Sequence, residues 1–369
     1  MTINNNQKEW RLLVRACHAA IQSTDDFIFK DSLEHINYEV LRKLARYHKV
    51  VPLLQKGLSK HPDKATIPSD FLDLLKRQSF NFAIRNLKNA KELLRLHNLF
   101  KEANIEIIPY KGVVLSEMAY GELGVRESSD IDILVQKKDL DLLYTILESE
   151  GYVPAEKMSN FFYNILLKFY NEYNYDLYEG QTRLFHVEPH WVLGSKMHQI
   201  YIDYNSVYPL TKEGDLLNTK INKLTPEGLL ITTFVHHGTS DGWLYLKNVT
   251  DIAAILTQYE TSLDWKFIIS TSKQLKILNI LLLGLGLSQT IYKSILPLEI
   301  QTLLSQRKIA NLIEKHKIIL STISERPHYA YAFYKRIIYQ FNLRASWTTK
   351  IKVVYYHLLH FILKPFLSK

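Results

Sequence analysis

A single cysteine, Cys17, stands in this chain of 369 residues, so neither an intramolecular disulfide nor a multi-cysteine zinc site can be built. Long apolar runs are scarce as well. The longest uncharged stretch, Ile277 to Tyr292, contains Asn279, Ser288, Gln289 and Thr290. That falls short of the roughly 20 apolar residues a spanning helix requires, and a buried helix is expected instead. The opening MTINNNQKEWRLLV lacks the basic start and apolar centre of a secretory signal, which points to a cytoplasmic protein. Internal repeats and low-complexity segments are missing too. Acidic residues are absent from one region. From Arg326 to the C-terminus there are eight Lys or Arg and no Asp or Glu, although the whole chain carries a formal net charge of only +9. The basic excess is local.

What is present is an ordinary folded composition, 47% hydrophobic and 22% charged, on a chain long enough for two or three modules. Apolar residues recur at three- and four-residue steps from Glu9 to about Phe100, as in Leu41-Leu44-Ala45, with breaks near Val51-Pro52 and His61-Pro62-Asp63. The texture then changes. Ile105 to Tyr110 is β-branched and strand-like, Val113 to Tyr120 reads as a short helix, and Ile131 to Val135 as a second strand. Lys138 to Gly151 is an amphipathic helix, and Arg183 to Leu193 a third strand. Residues 152–180, rich in Tyr, Phe and Asn, give no clear period. Thr225-Pro226-Glu227 is a good helix start, and helices are expected from there on. The reading is an α+β chain: a helical region over 1–100, a small α/β core over 101–224, and a helical domain over 225–369 ending in a basic, aromatic tail.

The sharpest feature is Arg-Glu-Ser-Ser-Asp-Ile-Asp-Ile-Leu-Val, residues 126–135. Alternate side chains of a strand share a face, so Asp130 and Asp132 point the same way and repel. A divalent cation is one means of compensation. On the third strand His186, Glu188 and His190 are likewise in phase. If the two strands are neighbours, Glu188 joins the aspartates in an oxygen-rich pocket suited to Mg2+ or Mn2+. Lys111-Gly112 lies between a strand and a helix start, where a glycine allows close backbone approach and a helix N-terminus favours phosphate.

A strand, a glycine-containing turn, a short helix and then Arg-x3-Asp-x-Asp resembles the DNA polymerase beta-type nucleotidyltransferase superfamily. Tyr110-Lys111-Gly112, Arg126 with Asp130 to Val135, and Glu188-Pro189-His190-Trp191 resemble more closely a bacterial family known simply as nucleotidyltransferase family proteins. The segment Leu229 to Leu256, with His236-His237, Trp243, Lys247 and Asp251, is similar to that family's helical continuation. The resemblance runs from about residue 40 to 290. It implies a minimal nucleotidyltransferase fold that transfers a nucleoside monophosphate from an NTP to an acceptor, with Mg2+ or Mn2+ held by Asp130, Asp132 and Glu188. Glu188 would serve as ligand or base, and Lys111, Gly112, Arg126, Ser129 and His190 would face the substrate. One departure is evident: the superfamily's turn is usually Gly-Ser, and here it is Lys111-Gly112. The acceptor is open among small molecules, glycan precursors, peptides and proteins.

Simpler roles stand beside these. An isolated Asp-x-Asp often only caps an element, and His186, Glu188 and His190 could instead hold a transition metal. Arg126 either neutralises the aspartates or meets a phosphate. Lys247 and Asp251, four apart, suit an ion pair on a helix face. Helical neighbours diverge by about 100°, so His236 and His237 are not expected to face one site together. The tail suits a solvated basic helix, a membrane surface or, less readily, nucleic acid. Two other function classes also remain: a binding or regulatory protein that keeps the fold without turnover, and a toxin–antitoxin-type module acting on RNA or protein.

Overall fold

The computed structural model describes residues 7–22, 29, 31–156, 160–322, 337–343 and 346–367. Four helices come first: α1 (Gln7–Ile21), α2 (Tyr38–Tyr47), α3 (Val51–Ser59) and the long α4 (Ser69–Glu102). The break at Val51-Pro52 is where α3 begins, with proline in its first turn, where its missing N–H costs nothing.

The core follows as β1 (Ile107–Pro109), α5 (Gly112–Tyr120), β2 (Ile131–Val135), α6 (Leu140–Ser149), β3 (Val153–Pro154), α7 (Asn160–Phe169), β4 (Tyr175–Glu179) and β5 (Thr182–His190). Its five-stranded sheet runs in the order β1-β2-β5-β4-β3. β2 pairs with β1 antiparallel and with β5 parallel, so it is central, and all five of its residues are buried. Burying each of its apolar side chains contributes roughly 1.5–3 kcal/mol, which fixes the register of the aspartates they alternate with.

The third strand is shorter than its sequence suggests. Pairing in the main sheet stops at His190. Val192-Leu193 (β6) turns away to pair with Ile202-Asp203 (β7), and α8 (Tyr204–Val207) follows. A hairpin that the sequence reading did not assign comes next, β8 (Thr211–Leu216) and β9 (Thr219–Leu224). Its two loop residues, Leu217 and Asn218, both take left-handed backbone angles (φ 48° and 64°), the geometry of a primed hairpin turn.

From Thr225, whose hydroxyl caps α9 (Pro226–His236) by accepting from Gly228 N–H, the chain is helical again. The helices α10 (Leu246–Tyr259), α11 (Trp265–Gln274), α12 (Leu278–Tyr292), α13 (Leu298–Leu304) and α14 (Arg307–Thr322) follow, then a helix at Trp347–Leu367. The apolar α12 is buried against its neighbours, as its length and composition imply. No helix among the described residues is long and apolar enough to cross a membrane. The fold is therefore α+β, a small mixed five-stranded sheet with helices on either side of it in the chain. Of the basic aromatic tail, Arg326, Tyr329, Tyr331, Phe333, Tyr334, Lys335, Arg336, Arg344 and Lys369 lie outside the described residues.

Candidate functional site

The parallel register of β2 and β5 sets Asp132 directly beside Glu188, with Ile131 beside Val187 and Ile133 beside Pro189. Two carboxylates far apart in sequence thus share one edge, with Asp130 just ahead of the strand. Two trios result, and in each the ligand atoms lie within 4.8 Å of one another: Asp130, His186 and Glu188, and Asp132, Glu188 and His190. Glu188 belongs to both. Asp130 and Asp132 share no trio among the described residues.

Charge compensation differs between the two. Lys111 Nζ reaches in from the end of β1 to 2.6 Å from Asp132 Oδ1 and 3.6 Å from Glu188 Oε2. Its expected partner was a substrate phosphate; its partners here are these carboxylates. Burial alone would raise the Glu188 carboxyl, but Lys111, His186 and His190 outweigh it and hold it well below the usual range. Asp130 goes the other way. Burial, with Glu188 and Asp132 close by, raises it, and Ser129 offsets this only in part with a hydrogen bond.

The histidines are anchored from behind. His186 Nδ1 bonds Asp176 Oδ1 at 2.6 Å, and its Nε2 lies 3.3 Å from Glu188 Oε1. Burial would lower this imidazole, but Glu188 and Asp176 raise it to about 9. His190 Nδ1 sits 2.9 Å from Glu172 Oε2, and its Nε2 is 3.5 Å from both Asp132 Oδ1 and Glu188 Oε2. Against the cost of burial, Glu172 and the other carboxylates lift it to about 10. Asp176 lies on β4 opposite His186, and Glu172 just precedes that strand. Both fall in the segment without a clear period, where nothing but their charge marks them.

Gly112 opens α5 at φ +58°, and a Cβ there would stand 3.0 Å from the Asp130 carbonyl oxygen and 3.4 Å from Ser128 Oγ. The backbone thus passes against the acidic edge as only glycine allows. No side chain caps α5, which leaves its first-turn N–H groups for a ligand. Gly112, Ser129 and all the residues of the two trios except His186 line a cavity of about 530 Å3. Basic residues line it as well: Arg46 in the last turn of α2, Lys49 just beyond that helix, Arg85 on α4, and Lys247 on α10.

Several expectations need correction. Arg126 lines the cavity but does not pair with the aspartates; its buried Nε donates to Asp251 Oδ1 and Oδ2 at 2.9 and 3.0 Å. Lys247 makes no ion pair with Asp251 among the described residues. Its ammonium donates to the Glu127 carbonyl at 2.7 Å, because Asp251 faces inward and is already engaged. His236 and His237 both approach Asp241 Oδ2, at 3.8 and 3.5 Å, since α9 passes into a π-helical turn at His237–Asp241 that breaks the 100° step. His237 is nonetheless committed elsewhere, bonded to Asp251 at 2.9 Å and to Asn248 at 2.8 Å.

The donor set suits a divalent ion. Asp132 Oδ1 and His190 Nε2 are buried without a hydrogen bond beside the Glu188 carboxylate, and a cation bound there would take the place of the imidazolium proton and the Lys111 ammonium. Carboxylates with imidazole can hold Mg2+ or, more readily, Mn2+.

Neither a curated protein nor a solved structure matches the chain. A family model described as an uncharacterised nucleotidyltransferase matches residues 34–293, from α2's approach through the last residues of α12. That is well over half of the sequence, and the chain belongs to this uncharacterised nucleotidyltransferase family.

Proposed function

We propose that the chain transfers a nucleoside monophosphate from an NTP to a hydroxyl-bearing acceptor and releases pyrophosphate, with Mg2+ or Mn2+ bound at the acidic edge. The observation that carries this is the register of Asp132 beside Glu188, with Asp130 at the same end of the sheet and the Gly112 turn facing them. When bound, the ion supplies Lewis-acid stabilisation of the charge that develops on the reacting phosphate.

The chain's own groups do the rest. The first-turn N–H groups of α5 donate to phosphate oxygens, and the close approach at Gly112 lets those oxygens reach the carboxylate edge. Arg46, Lys49 and Arg85 supply positive charge for the rest of the triphosphate or for an anionic acceptor. Glu188, held ionised by Lys111 and the two histidines, accepts a hydrogen bond from the acceptor hydroxyl and orients it. The acceptor is a small molecule, glycan precursor, peptide or protein. A nucleic-acid groove running from the tail to Asp130 has little support, as no described residue beyond Lys247 lines the cavity.

The test is incubation with each α-labelled NTP, Mg2+ or Mn2+ and cell extract. Label should move to an acceptor with the wild type and not with Asp130→Ala/Asp132→Ala. Equal transfer by both would overturn the mechanism.

One further observation favours a membrane-proximal acceptor. On the helix Trp347–Leu367, Trp347, Ile351, Tyr355, Leu358 and Ile362 are all exposed and fall within about 80° of one face. Lys350 and Lys352 flank that stripe on its two sides, and the helix has no acidic residue. An apolar face edged with lysines suits the interface of an anionic bilayer. Sedimentation with phosphatidylserine vesicles should carry down the wild type, and Ile351→Glu/Leu358→Glu should stay in solution. Wild type left in the supernatant would sink this reading.

A further inference from the structure

The two aspartates of the Asp-x-Asp motif serve different partners, and Glu188 is divided between them. Glu188 Oε1 faces His186 Nε2 at 3.3 Å, while Oε2 faces Lys111 Nζ at 3.6 Å and His190 Nε2 at 3.5 Å. The inner trio, Asp132, Glu188 and His190, therefore has a cation already: the Lys111 ammonium, 2.6 Å from Asp132 Oδ1. That contact is off the line of a hydrogen bond, and Asp132 Oδ1 counts as unpartnered although nine-tenths of its residue is buried. The ammonium meets it as a point charge, the way a metal ion would.

In the outer trio, Asp130, His186 and Glu188, neither Asp130 nor Glu188 Oε1 pairs with a lysine or arginine among the described residues; Lys111 meets Glu188 only at Oε2. It does have the support a metal ligand requires. Asp176 takes the Nδ1 side of His186, which leaves Nε2 directed at Glu188. Lys111 itself is fixed in place by chain geometry. It is the residue directly before Gly112, and its ammonium also lies over the Tyr110 ring at 5.2 Å.

We propose that Lys111 is a built-in substitute for one of two divalent ions, so that the chain holds a single ion, at Asp130, His186 and Glu188. This deepens the transfer reading above and rests on its metal site. It also gives the Lys-Gly turn a purpose: the residue that displaces the usual Gly-Ser pair brings a permanent charge to the inner position. An ion held by two carboxylates and an imidazole is more suitably Mn2+ than Mg2+, which prefers all-oxygen ligation with several waters.

The test counts bound ions on the full-length chain with Mn2+ alone as the probe, by electron paramagnetic resonance. Wild type should hold one ion per chain. Asp132→Asn should still hold one, because Asp132 belongs to the lysine, and Asp130→Asn should lose it. Lys111→Met, checked for folding by its thermal melt, should hold two, since the inner trio is then vacant. Two ions on the wild type, none on it, or loss of the ion in Asp132→Asn as complete as in Asp130→Asn would each overturn the proposal. A folded Lys111→Met that stays at one ion would do the same. If Lys111→Met does not fold, the contrast between the two Asp→Asn variants decides alone. Turnover is not read, so a chain that binds one ion and transfers no nucleotide refutes the reaction and leaves this arrangement standing.

Discussion

Arg126 and Asp251 lie 125 residues apart and meet in a buried ion pair, the arginine Nε within 3.0 Å of both carboxylate oxygens. The pair joins the Asp-x-Asp loop to α10, and two further donors, Tyr120 and His237, close on the same carboxylate. Burial alone would raise Asp251, yet Arg126 and His237 hold it well below the ordinary range. Removing one partner strands the other charge. Asp251→Asn should cost about 3–5 kcal/mol in urea unfolding. Arg126→Met/Asp251→Leu should recover only part of that, because Tyr120 and His237 still lose their acceptor. Full recovery would show that the pair acts alone.

Gly112 and Gly121 sit at opposite ends of α5, and both have left-handed φ, +58° and +70°. A Cβ at Gly121 would meet nothing within 4 Å, whereas one at Gly112 would press on the Asp130 carbonyl. Gly121→Ala should therefore cost only the backbone strain, about 1–2 kcal/mol, and leave Mn2+ affinity unchanged. Gly112→Ala should pay a similar strain and in addition weaken Mn2+ binding. Thermal melts and a Mn2+ titration of both variants check this; equal Mn2+ affinity in the two would contradict it.

Asp176 reaches the site only through His186. Asp176→Asn keeps the size of the side chain but weakens its hold on the imidazole Nδ1. Metal affinity is expected to fall by about 10–100-fold, as for other carboxylates behind metal-bound histidines. Isothermal titration with Mn2+ reads this directly, and an unchanged affinity would place the ion elsewhere.

His18, at the end of α1, is held down to about 4, first by burial and then by nearby Arg15. Its ring packs edge-on to Tyr292 of α12. Between about pH 6.5 and 4 the unfolded chain takes up a proton here that the folded chain refuses, so stability falls as pH drops through that window. Screening by solvent limits the effect to about 1–2 kcal/mol. The pH slope of wild type minus His18→Gln isolates it; parallel slopes would remove His18 from the account.

Much of the site was legible because strands have a period of two. Asp130, Asp132, Glu188 and the histidines beside it fall in phase on two short apolar strands, and their neighbourhood in space follows from pairing. The turn at Gly112 was legible for the same local reason. What was not legible is what crosses between elements. Arg126 finds Asp251 on a helix far along the chain, and no local pattern announces such a partner. Lys111 could be placed near an anion, but which anion depends on how β1 ends against β2. The β8–β9 hairpin was silent because its strands are polar and its turn is Leu217-Asn218 in place of an Asn-Gly signal. The meeting of His236 and His237 at Asp241 requires a π turn, which a regular helical wheel excludes.

The position of a radiolabel on the NTP separates transfer of the α-phosphorus group from transfer of the γ-phosphoryl group. Cell extract is supplied with an equal mixture of NTPs labelled at the α phosphorus in one arm and at the γ phosphorus in the other, with Mn2+ present. Labelled acceptor is expected only in the α arm, labelled pyrophosphate only in the γ arm, and neither with Asp130→Ala/Asp132→Ala. Label reaching the acceptor from the γ position, or undiminished transfer by the double variant, would contradict transfer of the nucleoside monophosphate.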